Sequence, residues 1–152
     1  MNLDRYNCLA DPHYNSFTFQ SIGPNEAIKK IINYKKIPDS FLTDGSPVIN
    51  LGFGDWDEVA GKVDDAIISN NQDRDKILAT VASTTIAFTD VHGKLPVYAQ
   101  GSSPAKTRLY QMGINAHYEE VMCLFWVYGL KHGEWRIFTP GVNFEAFLVI
   151  RK

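Results

Sequence analysis

Cysteine is scarce in this chain, and Cys8 and Cys123 stand too far apart in sequence to read as a zinc site or a disulfide framework. Two unpaired thiols fit a reducing compartment, so the expected setting is the cytoplasm. A surplus of positive charge is also lacking: 15 Lys and Arg against 17 Asp and Glu leave a formal net charge of −2. Counterion release on nucleic acid then has no global basic field behind it, and nucleic-acid binding is not expected of the chain as a whole. No apolar run reaches the length of a membrane span, and MNLDRYNCLADPHYN lacks a basic segment followed by an apolar one. The chain is therefore expected to be neither embedded nor secreted.

Several catalytic signatures are missing as well. There is no Gly-x-Ser-x-Gly elbow and no Walker loop, and no Asp-x-Asp follows Gly101-Ser102 as nucleotidyl transfer would need. His13, His92, His117 and His132 have no partner at metal or triad spacing, which leaves Ser102 and Ser103 without a local base. Asp55, Asp57, Glu58, Asp64 and Asp65 crowd one stretch without the spacing of a calcium loop, and a solvated hairpin end is the simpler account. No metal is expected.

What is present suits one domain spanning residues 1–152. The chain is 45% hydrophobic and 12% aromatic, with nine Phe and three Trp to fill a core. Phe17 to Ile22 alternates as a strand, and Ile28 to Ile37 reads as a second strand after Gly23-Pro24, with a short helix over Asn25 to Asn33 as the alternative. Pro38 to Pro47 is turn chemistry. Val48 to Trp56 and Lys62 to Ser69 read as a hairpin joined through Asp57–Gly61. The polar run from Ser69 to Asp73 predicts a helix start at Asn70, and the helix runs to about Thr89 with Ile77, Leu78, Val81, Ala82, Thr85, Ile86 and Phe88 on one face. Pro96 to Gln100 predicts a strand, and a helix follows from Ser103 until Gly113 stops it, with Asn115 capping a further turn. Cys123 to Leu130 and Glu134 to Phe138 predict a hairpin over Lys131-His132-Gly133, and Phe144 to Ile150 a last strand. The fold class is α+β: a single mixed, mostly antiparallel sheet of six to seven strands with two main helices packed on it.

The most informative stretch is VYAQGSSPAKTRLYQMGI, residues 97 to 114. A helix that starts on Ser-Pro directly after a strand leaves backbone N–H groups aimed beyond the strand end, a ready site for an anion. At about 100° per residue, Ala105, Leu109 and Met112 share the side expected to face the sheet. Ser103, Lys106 and Tyr110 then fall on one flank, and Arg108 projects from the opposite border. A phosphate at the helix start would meet the hydroxyls of Ser102 and Ser103 and the Lys106 ammonium. The same residues also cap a helix without any ligand, since Ser suits the N-cap and Pro the first helical position.

The element order, together with Lys-Thr-Arg-Leu-Tyr-Gln-Met-Gly-Ile at 106–114, resembles the GNAT acetyltransferases and their closing Ala-x-x-Leu-Tyr-x-x-x-Gly-Phe helix. The resemblance implies an acyl-CoA cleft between two central strands, here those bearing Ile67 and Val97, with Tyr110 as the acid that protonates the departing thiolate. It also places Asn70 and Asn71 in the pyrophosphate loop, although Asn70 to Asp75 contains no glycine and carries two carboxylates. The stretches at 50–55, 69–81, 101–110 and 141–149 are similar to a bacterial single-domain family of about this length whose function is unassigned. A reading from another class is a non-catalytic interaction module, for instance one half of a toxin–antitoxin-type operon pair or a homodimer. Lys29, Lys30, Lys35 and Lys36, or a sheet edge, would supply its surface.

Overall fold

The first half of the chain builds an antiparallel meander. A computed structural model describes residues 4–24, 26–57, 61–64 and 73–152. In it β1 (Leu9–Ala10), β2 (Ser16–Gly23), β3 (Glu26–Phe41) and β4 (Pro47–Asp57) pair in sequence order. The stretch 25–37 that allows helix or strand is strand, because residues 26–33 pair with β2 on one edge while 30–36 pair with β4 on the other. β3 runs on past Pro38 to Phe41, so the loop expected from 38 starts later. The ladder is irregular between Lys36 and Phe41, where Asp39 adopts φ 55°, and a broken ladder tolerates proline.

β5 (Lys62–Asp64) pairs with β4. The connection at 58–60, the rest of the strand expected over 62–69, and the helix start expected at Asn70 lie outside the described residues. α1 spans Arg74–His92, and β6 (Val97–Ala99) returns parallel to β4 with Ile49, Asn50 and Leu51 opposite Val97, Tyr98 and Ala99. α2 (Pro104–Ala116), α3 (Tyr118–Leu124), β7 (Phe125–Lys131), β8 (Glu134–Ile137) and β9 (Ala146–Arg151) complete the chain.

The sheet holds nine strands among the described residues, in the order β1-β2-β3-β4-β6-β9-β7-β8 with β5 added to β4, where six to seven were expected. The strand with no counterpart among those expected is β1, two residues long and too short to show a period. The further turn expected after Asn115 forms a third helix, α3, and Cys123 and Leu124 finish it instead of opening a strand. α2 also passes through Gly113. A Cβ there would come within 3.1 Å of the Leu78 side chain, so this glycine sets the approach of α2 to α1 and does not end the helix.

All three helices cover one face of the sheet. Under α1 lie Phe17, Phe19, Ile32, Tyr34, Ile49 and Leu51, and under α2 and α3 lie Phe125, Val127, Phe138, Phe144 and Phe147. The buried side of α1 is rich in threonine. Thr80, Thr84, Thr85 and Thr89 are buried, and each hydroxyl donates to a carbonyl three or four residues back, which satisfies it without solvent.

Candidate functional site

The chain leaves β6 at Ala99 and enters α2 through an elbow that closes on itself. Ser103 is the N-cap in extended conformation, and its Oγ accepts from the Lys106 N–H at 3.3 Å. Thr107 bridges the turn: its Oγ1 accepts from the Gly101 N–H at 3.0 Å and donates to the Ser103 carbonyl at 3.2 Å. A Cβ on Gly101 would sit 2.5 Å from the backbone nitrogen of Thr107, so only glycine lets the elbow fold this tightly. Ser103 Oγ keeps its own proton to donate, because the cap bond uses a lone pair.

The inward face of α2 differs from the one its hydropathy suggests. Ala105, Leu109 and Met112, expected against the sheet, are exposed, and Leu109 and Met112 keep 38% and 39% of their surface. Thr107, Gln111, Gly113 and Ile114 are buried instead. Gln111 explains the inversion. Its amide donates to the Val142 carbonyl and its Oε1 accepts from the Phe144 N–H at 2.8 Å, which pins the segment between β8 and β9. A buried polar side chain with every group satisfied costs little, and a hydropathy wheel assigns it to solvent.

Among the residues singled out in the sequence, Ser103, Lys106 and Tyr110 are half-buried on the inner flank, whereas Ser102 and Arg108 are exposed. Asn70 and Asn71 lie outside the described residues. Tyr110 reaches a small apolar cavity of about 90 Å³ between the helices and the sheet, lined also by Leu51, Ala99, Ile114 and Phe147. Leu51 and Ala99 are the last pair of the parallel β4–β6 ladder. Asp55 pairs with Lys30 on one edge and Asp64 on the other, so β5 shares an edge of β4 with β6. Among the described residues, neither β5 nor β6 pairs with Gly52, Phe53 or Gly54. The strand beside Val97 is thus the one bearing Ile49, where Ile67 was expected, and Ile67 itself falls outside the described residues.

This layout runs the length of the chain, and so does the family that it matches. A model described as "Family of unknown function (DUF6934)" covers residues 2–152. The chain belongs to that family. Searches of curated proteins and of solved structures return no match. No helix among the described residues of this DUF6934 chain is long and apolar enough to cross a membrane. Among the same residues no group of three or more His, Cys, Asp or Glu is placed to hold a metal ion.

A second polar cluster lies under the start of α1, and reading the sequence as solvated lysines missed it. Lys30 is only 4% exposed, pairs with Asp55 and lies 5.8 Å from the Phe53 ring. The lysine surface expected at 29, 30, 35 and 36 is therefore split, with Lys30 inside and Lys35 and Lys36 outside. Asp73 accepts from the Tyr6 and Ser21 hydroxyls, both at 2.6 Å, and Tyr6 accepts in turn from the Ile22 N–H at 3.0 Å. Burial and the Asp73 carboxylate hold the Tyr6 phenol above its ordinary value. The signal was present: Lys30, Ile32 and Tyr34 keep a period of two, which puts the lysine on the inward face.

Proposed function

We propose that this DUF6934 chain is a GNAT-like domain that binds a phosphate-bearing ligand, an acyl-CoA or a nucleotide, at the elbow 101–110. The observation that carries the reading is the parallel β4–β6 pair at the middle of the sheet, whose ladder stops at Leu51 and Ala99 just before the elbow. A GNAT-type ligand lies between two central strands, and the end of the β4–β6 ladder at Leu51 and Ala99 is where its extended arm would enter. Phosphates would rest against Ser102, Ser103 and Lys106, with Arg108 set apart on the outer side.

In the acyl-transfer form of the proposal the acyl group enters the cavity beside Tyr110. The cavity is several times the roughly 10–15 Å³ that one water needs on the same measure, and its apolar lining favours a short hydrocarbon. A neutral amine attacks the thioester carbonyl, the carbon–sulfur bond breaks, the Tyr110 hydroxyl gives its proton to the departing thiolate, and the proton lost by the new amide nitrogen returns to the Tyr110 phenolate. The bacterial, cytoplasmic setting is part of the same proposal, supported by the likeness to bacterial single-domain chains and by Cys8 and Cys123 both being free thiols.

Thermal unfolding with acetyl-CoA, CoA and ATP tests this. A ligand at about 100 times its Kd is expected to raise Tm by roughly 5–10 °C. Lys106→Ala should remove most of that rise, while Tyr110→Phe should retain it and lose acyl transfer. Failure of the whole panel to move Tm overturns the ligand reading.

A further inference from the structure

We propose that this chain forms a two-fold symmetric dimer by antiparallel pairing of β8 with β8 of a second copy, with Trp135 on the dyad. The proposal stands apart from the elbow and needs no ligand there.

β8 ends the sheet, and all four of its residues are exposed. Its register against β7 places Ile137, Arg136, Trp135 and Glu134 opposite Tyr128, Gly129, Leu130 and Lys131, and the Phe138 N–H donates to the Val127 carbonyl at 3.0 Å. Bonded and non-bonded pairs alternate along an antiparallel ladder. The backbone groups of Glu134 and Arg136, like those of Phe138, therefore turn toward β7. Those of Trp135 and Ile137 turn outward, toward the open edge, where another strand can use them.

Three self-pairings engage those outward groups and keep the faces of the two sheets aligned, and the one with Ile137 opposite Ile137 of the second copy brings no charges together. With Trp135 opposite Trp135 of the second copy, Glu134 faces Arg136 of that copy, and by symmetry the pair forms twice. With Trp135 opposite Ile137 of the second copy, Arg136 faces Arg136. Opposite charges directly across a ladder stabilise it and like charges destabilise it, so charge selects the pairing of Trp135 with Trp135. There the two Trp135 residues exchange both backbone hydrogen bonds.

Side chains on the outer face favour the same partner. Tyr98, Leu148, Tyr128 and Ile137 form one row across β6, β9, β7 and β8. Ile137 is 73% exposed and Trp135 is 44% exposed, its ring edge-on to Tyr98 at 6.0 Å. That ring leans over the sheet toward Tyr98. A dyad perpendicular to the sheet puts the two rows on one face, each Ile137 opposite Gly133 of the other copy and the Trp135 pair between them.

Sedimentation equilibrium of the full chain over a concentration series is the test. The mass is expected to rise from one chain to two. Glu134→Arg and Arg136→Glu should each raise the dissociation constant about tenfold, since each creates two like-charge oppositions, and the double reversal should return it to the wild-type value. Trp135→Pro, which removes an N–H that β7 does not use, should leave a folded monomer by circular dichroism. A wild type that stays at one-chain mass at the highest concentration overturns the proposal. So does association that the single reversals leave unchanged, or that the double reversal fails to restore; these two arms decide the matter even if the proline variant does not fold.

Discussion

The sheet divides at the β4–β6 pair into two halves that fasten their helices by different means. In the N-terminal half, hydrogen bonds reach from sheet to helix: Tyr34 meets Thr84 and Thr85 at 2.9 and 2.8 Å, Ser21 and Tyr6 hold Asp73, and the Tyr6 N–H donates to Thr80 at 2.9 Å. Across the divide aromatic packing carries more of the load, with Tyr118 of α3 stacked on Phe138 at 6.1 Å and Phe138 next to Phe144 and Phe147 at 5.5 and 6.0 Å between ring centres, beside the Gln111 bonds and Arg151 of β9, which donates to the Ile86 carbonyl of α1 at 3.3 Å. The outer faces differ in the same sense. Thr18, Gln20, Asn33, Lys35 and Asn50, with exposed Leu9 and Ile22 toward the edge, line the N-terminal half, and Tyr98, Trp126, Tyr128, Trp135, Ile137 and Leu148 line the other. A face of aromatics at 56% exposure for Trp126 and 44% for Trp135 is what a partner covers.

If packing carries the C-terminal half, its centre should be the most costly place to cut. Phe138→Ala is expected to lower stability by about 3–5 kcal/mol in urea unfolding, because the ring is fully buried and its aromatic neighbours cannot collapse into the space. A loss of less than about 1 kcal/mol would mean that this half is not held as described. The N-terminal half should give way at its buried ion pair. Lys30→Met removes one partner and leaves Asp55 with 16% of its side-chain surface in water, for an expected loss of about 3 kcal/mol, the low end for a broken buried pair. Adding Asp55→Leu should recover most of it, since two apolar residues leave no stranded charge.

The smallest expected effect sharpens the contrast further. Tyr34→Phe keeps the ring stacked on Phe88 at 4.6 Å and removes only the hydroxyl, at a cost of about 1 kcal/mol at neutral pH. Its pH dependence has a definite sign. Burial holds the Tyr34 phenol well above its ordinary value, so the folded chain keeps the proton after the unfolded chain has released it. Stability from this group is whole below about pH 10 and declines as pH rises beyond it. Wild type should therefore lose more stability between pH 9 and pH 11 than Tyr34→Phe, as read from unfolding midpoints. Equal losses would show that Tyr34 is not the buried phenol that the structure makes it.

Much of this architecture was legible in the residues. Alternation marked β2 while β3 stayed open between strand and helix, and His132-Gly133 marked the turn between β7 and β8, where φ of 51° and 76° at the two central residues is the twist that a two-residue hairpin needs. Ser103-Pro104 marked the start of α2. In each case the signal is local: a period, a cap, or a backbone angle that few residues accept. Membership of α2 residues in the core was not legible, because Thr107 and Gln111 are polar and are buried only through bonds to Gly101, Val142 and Phe144, the last two some thirty positions away.

The sequence by itself determined the α+β class, the main strands and the elbow at Gly101. Only the tertiary structure decided that β6 lies against β4, that Lys30 is an interior cation, and that Tyr110 meets a cavity while Leu109 and Met112 face outward. The reason is physical. Propensity and periodicity act over a few residues, whereas burial of a polar group depends on which distant donor or acceptor arrives to satisfy it.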